Sequence, residues 1–403
     1  MRSLFVVPAY PWPTTTGSRL RVRHLLAAAR SLGEVELFAW VDPARHTPDP
    51  PPGDGPDRLH VSRRAGGPSS VPARLAGLAG PQPVEVRRSD HAEARRELTA
   101  FLRPPYDASV VVGARAAAVF SDLLARPRVV DFMDLEDAKL ASRRVADPGT
   151  PGPRAALGAA LDRRRARAWT RLQHELVEAA DGVTVCSELD RERLGHPGAV
   201  VVPNGYPPPA APAGERHRPG AGPPTMTFVG SFTYPPNVDA ARYLAGEVAG
   251  ELRRVLPGAQ VRLVGRAGEG VASLHDPPAV VVVGAVERIE DELARADVVV
   301  VPVRHGGGTR VKVVEGFAHR VPVVATTFGA EGIDAVDGEH LLLADSPPAM
   351  ADACARLVED GALREAMVAR AQRLFLERYQ WPVVARGFTE LLGALDHPDD
   401  GAR

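Results

Sequence analysis

The chain has 403 residues, which makes two domains of ordinary size the expectation and rules out a single small scaffold. Hydrophobic residues make up 44% and charged residues 25%, and 49 basic against 50 acidic side chains leave a net charge of -1, which argues against disorder and against a nucleic-acid partner. The two cysteines, Cys186 and Cys354, form no metal-binding pair and close at most one bridge, so zinc is not expected and a reducing cytoplasm fits the chain.

The N-terminus runs from one charge, Arg2, into an apolar stretch over 4–7 that stops at Pro8, too short for a signal-peptide core. The longest apolar runs, 279–286 and 297–303, fall well below the roughly 18 residues of a membrane-spanning helix. The expected protein is cytoplasmic, with membrane contact at most peripheral.

Short β-branched runs then alternate with helix-length amphipathic segments, the pattern of parallel strands covered by helices on both faces. In the first half the spacing predicts strands over 4–7, 35–40, 108–112, 128–132, 182–186 and 200–202, with helices over 18–31, 89–102, 114–125 and 154–180. The proline-rich piece over 47–56 reads as a loop. A linker follows from Pro203-Asn204-Gly205-Tyr206 to Pro224, rich in Ala, Pro and Gly and without apolar period. The second series has strands over 226–229, 261–264, 280–283, 298–303 and 322–326, and helices over 238–255, 289–296, 311–319 and 348–378. Tyr379-Gln380-Trp381-Pro382 then breaks the chain before a last apolar helix over 383–395.

The fold class is therefore α/β, with two doubly wound Rossmann-like domains facing one another across a cleft. The expected domains are 1–205, a linker at 206–224, and 225–380, with the terminal helix over 381–395 crossing back to the first.

Sheets of this kind bind ligands beyond the carboxyl ends of their strands. No phosphate-binding G-x-x-x-x-G-K-[ST] occurs, and no G-x-G-x-x-G follows the first strand, so ordinary kinases and dehydrogenases drop in rank. After the first strand, a loop leads into Gly17 and Ser18 at a helix start, a modest anion site; a plain βα loop with Ser18 as N-cap is the equal alternative. The richest window is Val303-Arg304-His305-Gly306-Gly307-Gly308-Thr309-Arg310-Val311-Lys312-Val313-Val314-Glu315-Gly316. Its glycines let backbone approach a ligand, Arg310 and Lys312 add positive charge at a helix start, and Glu315 suits a ribose diol, which together fit a nucleoside diphosphate. The alternative is a glycine hinge with solvated charges. Only two lysines, Lys139 and Lys312, stand in this arginine-rich chain, which makes both conspicuous.

Phe228-Val229-Gly230, Val264-Gly265-Arg266, Val283-Gly284-Ala285-Val286, Ala296-Asp297-Val298, Lys312-Val313-Val314-Glu315-Gly316 and Val321-Pro322-Val323 resemble the nucleotide-binding domain of the retaining glycosyltransferases of family 4, whose fold is GT-B. Cys186-Ser187-Glu188 and Val202-Pro203-Asn204-Gly205 extend the likeness into the first half. The glycine loop is closer to a branch that reads Gly-Thr-Arg-x-Lys-x-x-Glu.

The resemblance implies a donor site at Gly17, Ser18, Gly230, Ser231, Arg266, Val286, Gly306, Gly307, Gly308, Thr309, Arg310, Lys312 and Glu315. Two features of the family are missing. An earlier glutamate that reaches the donor sugar is replaced by Gly307, and the Arg and Lys after the first strand of the second domain are replaced by Gly230 and Ser231. The inference is that Arg310 and Lys312 supply the phosphate charge from the other side. Where the family often has a histidine near the anomeric carbon, this chain offers Asp131 and Asp134, to orient the acceptor or the donor-sugar hydroxyls; caps on a solvated face are the plain alternative. The catalytic candidates are thus Asp131, Asp134, Arg310 and Lys312, with no metal expected, a divalent ion at the cluster from Asp131 to Asp137 being the lesser alternative, and no cofactor beyond the nucleotide sugar as co-substrate. The implied activity is glycosyl transfer with retention to a carbohydrate, lipid-linked or small-molecule acceptor. The rivals are an epimerase of the same fold and a non-catalytic nucleotide-sugar-binding protein.

Overall fold

A computed structural model describes residues 1–14, 16–42, 53, 55–63, 82–87, 91–146, 153–209, 222–307 and 310–396. The chain divides into two compact units, Met1–Pro203 with Val384–Arg403, and Asn204–Val383.

The first unit holds a seven-stranded sheet of β1 Arg2–Val7, β2 Glu34–Val41, β3 Arg58–Arg63, β4 Ala108–Val112, β5 Arg128–Phe132, β6 Gly182–Val185 and β7 Val200–Val201, in the order β3-β2-β1-β4-β5-β6-β7. Every pairing is parallel. The strands read as near-continuous apolar runs because both faces are covered: Phe5, Phe38, Val111 and Phe132 are all buried. The edge strand β3 has no counterpart in the sequence reading. Only its Ser62 is buried, so the strand carries no apolar run, and Arg58 is held by Glu36 of β2 at 2.6 Å. The helix Gly17–Arg30 is capped by Thr16, whose Oγ1 accepts from the N–H of Arg19; Ser18, the cap of the alternative reading, lies inside the first turn. The long helix Pro153–Glu178 is preceded by Glu136–Ala146, which the sequence reading did not separate from the strand end before it. The terminal helix Trp381–Asp396 belongs to this unit from Val384 on. Phe388 meets Phe5 edge to face at 6.3 Å, and a Cβ on Gly182 would come within 3.2 Å of Leu391.

The second unit holds a six-stranded sheet of β8 Thr225–Val229, β9 Gln260–Val264, β10 Val280–Gly284, β11 Val298–Val301, β12 Val323–Ala325 and β13 Leu342–Leu343, in the order β10-β9-β8-β11-β12-β13. All pairings are again parallel. The two-residue strand β13 escapes any periodicity argument. The helix expected over 238–255 starts three residues earlier, with Pro235 and Pro236 in its first turn, and passes through a π turn at Leu244–Val248. The start of the expected linker is part of this unit: the Tyr206 N–H donates to the Tyr379 carbonyl at 2.9 Å and Tyr206 bridges to Gln380. Residues 210–221 of that linker lie outside the described residues.

Candidate functional site

In the second sheet the strand order reverses between β8 and β11, and the loops that leave these two strands at their carboxyl ends are Gly230 to Tyr234 and Pro302 to Arg310. This is where an open parallel sheet offers a crevice. Two glycines let the backbone pack tightly there. Gly265, after β9, has φ +137°, and a Cβ on it would sit on the Gly230 carbonyl oxygen. A Cβ on Gly230 would come within 3.0 Å of Asn237 Nδ2 and 3.3 Å of Lys312 Cε. Asn237 in turn donates to the Ser231 carbonyl at 2.9 Å, so the helix Pro235–Tyr243 fixes the loop in front of it.

Lys312 stands in the first turn of the helix Val311–Ala318, half-buried. Its Nζ lies 6.0 Å from the centre of the Phe228 ring, and among the described residues it has no hydrogen-bond or ion-pair partner. Burial pushes its pKa down to about 8; the nearby Glu315 carboxylate opposes that shift and Arg310 adds to it. An ammonium so placed gains from an incoming anion.

Glu315 follows one turn later on the same helix. Its Oε1 accepts from the Tyr206 O–H at 2.8 Å. Burial raises its pKa to about 7, against the Tyr206 hydrogen bond and Lys312, with Glu290 adding to the rise. The Tyr206 ring meets His319 edge to face at 5.7 Å. Tyr206, bonded to Glu315, is a candidate that the sequence does not single out; the one signal is an aromatic side chain inside an otherwise proline-rich linker.

The raised pKa carries a stability consequence. Glu315 favours the folded state when protonated, and that contribution is complete below the unfolded value of 4.5 and lost as the pH rises through about 7. Glu315→Gln keeps an acceptor for Tyr206 and cannot ionise. It should match the parent in acid and, above pH 7, be more stable by about 1–3 kcal/mol. Melting temperatures followed from pH 4.5 to 8 check this, and parallel curves would refute it.

Arg310 is committed differently from the expectation that it would face phosphate. Its Nη1 donates to the Gly307 carbonyl at 2.8 Å, its Nε to the Phe328 carbonyl at 3.2 Å, and the guanidinium lies over the Phe328 ring. In the structure Arg310 therefore pins the glycine loop. Gly306, at φ +135°, lets that loop lie against Pro236 and the Tyr234 hydroxyl. Gly308 and Thr309 lie outside the described residues. Ser231 is paired with the Thr233 hydroxyl at 2.9 Å. Arg266 is exposed, and its carbonyl accepts from the Phe232 N–H. Val286 is exposed beyond β10, two strands away from β8.

In the first unit, Gly17 and Ser18 form the first turn of the helix after β1, both exposed. Asp131 requires a correction. Its carboxylate is fully buried, with Oδ1 accepting from Arg21 Nη2 and the Thr184 hydroxyl, each at 2.6 Å, and Oδ2 from Arg21 Nε at 3.0 Å. Arg21 also donates to the Val202 carbonyl at 2.7 Å. Asp131 is an internal tie between the first helix and the central strands, with both oxygens engaged and neither open to a ligand. Asp134, three residues on, is partly exposed and pairs with Lys139 at 2.8 Å; Lys139 also meets Glu136 at 3.4 Å. Of the two aspartates, Asp134 is the one in reach of a ligand.

Residues 223–360 match the family model described as glycosyl transferases group 1. Among solved structures the chain is similar to sucrose-phosphate synthase from Thermosynechococcus elongatus, with 18% identity and a TM-score of 0.68 over 98% of this chain and 99% of that one. It is also similar to HepE from Anabaena, with 15% identity and a TM-score of 0.65 over 98% and 100%. A glycosyltransferase from Rickettsia africae gives 12% identity and a TM-score of 0.61 over 98% of each chain. No curated protein sequence matches. The structural likenesses show the GT-B fold of two Rossmann-like α/β domains, and together with the match of residues 223–360 they make the chain a glycosyltransferase enzyme.

Proposed function

We propose that the protein is a retaining glycosyltransferase of the family 4 type, which moves a sugar from a nucleoside diphosphate sugar to an acceptor hydroxyl. The observation that carries this reading is the unpartnered Lys312 ammonium at the carboxyl edge of β8, one helical turn before the carboxylate of Glu315. A diphosphate satisfies the first and a ribose diol the second. The HepE structures hold UDP with glucose, and UDP-glucose, on a chain of the same fold, which supports a nucleoside diphosphate sugar as donor.

The difficult step is departure of a diphosphate from an oxocarbenium-like carbon. Lys312 offsets the negative charge that grows on the leaving oxygen, in a half-buried setting where such an interaction is stronger than in water. Arg310 contributes indirectly, by holding the glycine loop in place. The acceptor hydroxyl attacks from the face the diphosphate leaves: the bond from the anomeric carbon to the phosphate oxygen breaks, the bond to the acceptor oxygen forms, and the departing phosphate takes the acceptor's proton. Glu315 holds the nucleotide and moves no proton.

The test is incubation with a panel of nucleoside diphosphate sugars, with and without acceptors, and NMR of the product anomer. Acceptor-dependent release of nucleoside diphosphate with retained configuration is the expected result. Interconversion of the donor alone would make the protein an epimerase, and binding without turnover a sugar-nucleotide-binding protein.

Asp134 is assigned to the acceptor or donor-sugar hydroxyls. Asp134→Asn removes a charged hydrogen-bond acceptor worth about 1.5–3 kcal/mol, so kcat should fall roughly ten- to a hundredfold. Nucleoside diphosphate affinity should be unchanged; a tenfold weaker affinity at intact kcat would place Asp134 elsewhere.

A further inference from the structure

The helix Pro153–Glu178 has two faces of different character. Trp169, Leu172 and Leu176 are buried and hold it to the first unit. Its outward face, over 156–171, presents Ala156, Leu157 and Ala160, followed by Arg163, Arg164, Arg167 and Arg171. Positions 156, 160, 163, 167 and 171 follow the three-and-four spacing of one helix face, and 157, 164 and 171 lie seven apart beside them, so the apolar turn runs straight into the basic stripe. The stripe is about 22 Å long.

The acids beside it are few and engaged: Asp137 of the preceding helix accepts from the Thr170 hydroxyl at 2.6 Å and from Gln173 at 2.9 Å. Asp162, half-buried, is bonded to Arg165, and the first exposed acid along the helix is Glu175. Arg163, Arg164, Arg167 and Arg171 have no hydrogen-bond or ion-pair partner among the described residues. Exposed Arg143 adds to the charge from the preceding helix, where its neighbour Arg144 donates to the Ala159 carbonyl at 2.9 Å. Leu157, at 62% exposure, is the most exposed large hydrophobic side chain of the described residues.

We propose that this helix face docks the first unit on an anionic lipid surface. The four arginines of the stripe would meet lipid phosphates, and Leu157 with its alanine neighbours would enter the boundary between headgroups and acyl chains. A nucleic acid would use the arginines and leave the exposed leucine without a role, which is why lipid is the better match. The protein would lie on the surface, since no helix of the described residues is long and apolar enough to cross a membrane. The proposal rests on this surface alone and stands whichever reaction the enzyme performs.

The full chain would be sedimented with vesicles of phosphatidylcholine, and with vesicles of phosphatidylcholine mixed with phosphatidylglycerol. Binding is expected to the anionic vesicles only, weakening as salt is added. A basic side chain near an anionic surface contributes about a factor of five, so R163Q, R167Q and R171Q combined should lower partitioning on the order of a hundredfold. The corresponding triple lysine variant should retain binding, and Leu157→Glu should weaken it, all at the parent melting temperature. Equal partitioning to both vesicle types, no binding to either, or no loss in the triple glutamine variant would overturn the proposal. So would duplex DNA binding tighter than the vesicles with the same dependence on these arginines.

Discussion

Asp131→Ala should destabilise the first unit by about 3–5 kcal/mol, because it leaves the guanidinium of Arg21 buried without its counter-charge. Arg21 and Asp131 are each at most 1% exposed, so water cannot replace the lost partner. The carbonyls of Val202 and Pro203 still accept from Arg21 and Asp190 still attracts its charge, but neither replaces the two-pronged contact with the Asp131 carboxylate. In a unit of this size the thermal transition would fall by about 6–20 °C. Removing both charges together, with Arg21→Leu and Asp131→Leu, should recover much of the loss, since an apolar pair of similar volume is often as stable as a buried ion pair. The proposed nucleotide site lies in the other unit, so nucleoside diphosphate affinity of whatever remains folded should match the parent. Calorimetry decides: an Asp131→Ala protein that melts with the parent would show that the buried pair contributes nothing.

The second large effect is on turnover. Lys312→Ala should lower kcat/KM for the donor by roughly one to three powers of ten, about 1.4 to 4 kcal/mol, through loss of the charge opposite the leaving diphosphate. Lys312→Arg should restore only part, because a planar fork is wider than an ammonium and Gly230 leaves little room beside Cε. Stability should move the other way. The folded pKa of about 8 lies below the ordinary 10.5, so the neutral form is favoured by folding; that contribution is present above 10.5 and lost as the pH falls through about 8. At neutral pH the charged lysine therefore weakens the fold, and Lys312→Met should melt no lower than the parent while losing activity. Donor kinetics within a factor of two of the parent would remove Lys312 from the phosphate site.

Local pattern made much of this molecule legible. Every strand except β3 and β13 coincides with a run that the sequence pattern picks out, because a strand covered on both faces must be apolar along its length. The step from β11 through glycines to Lys312 and Glu315 is likewise visible in one window of sequence.

What stayed hidden depends on partners far apart in the chain. The Arg21 to Asp131 tie spans 110 positions and the Tyr206 to Glu315 hydrogen bond 109, so no periodicity could announce either. Asp131 looked like a site residue because it stands at a strand end among acids, and its burial follows from a helix that lies three strands earlier in the chain. The edge strand β3 was missed for a different reason: only one of its six residues is buried, so it lacks the apolar signature by which its neighbours are found.

The terminal helix has a consequence for how the protein is made. Phe388, Leu391 and Leu395 complete a core begun by Phe5 and Gly182, yet they leave the ribosome only after all of Asn204–Val383 has emerged. The second unit has its whole sequence in hand before the first has its last helix. During synthesis the first sheet must therefore wait with one apolar face unfinished, and a chain halted before Val384 would carry a finished second unit behind an incomplete partner.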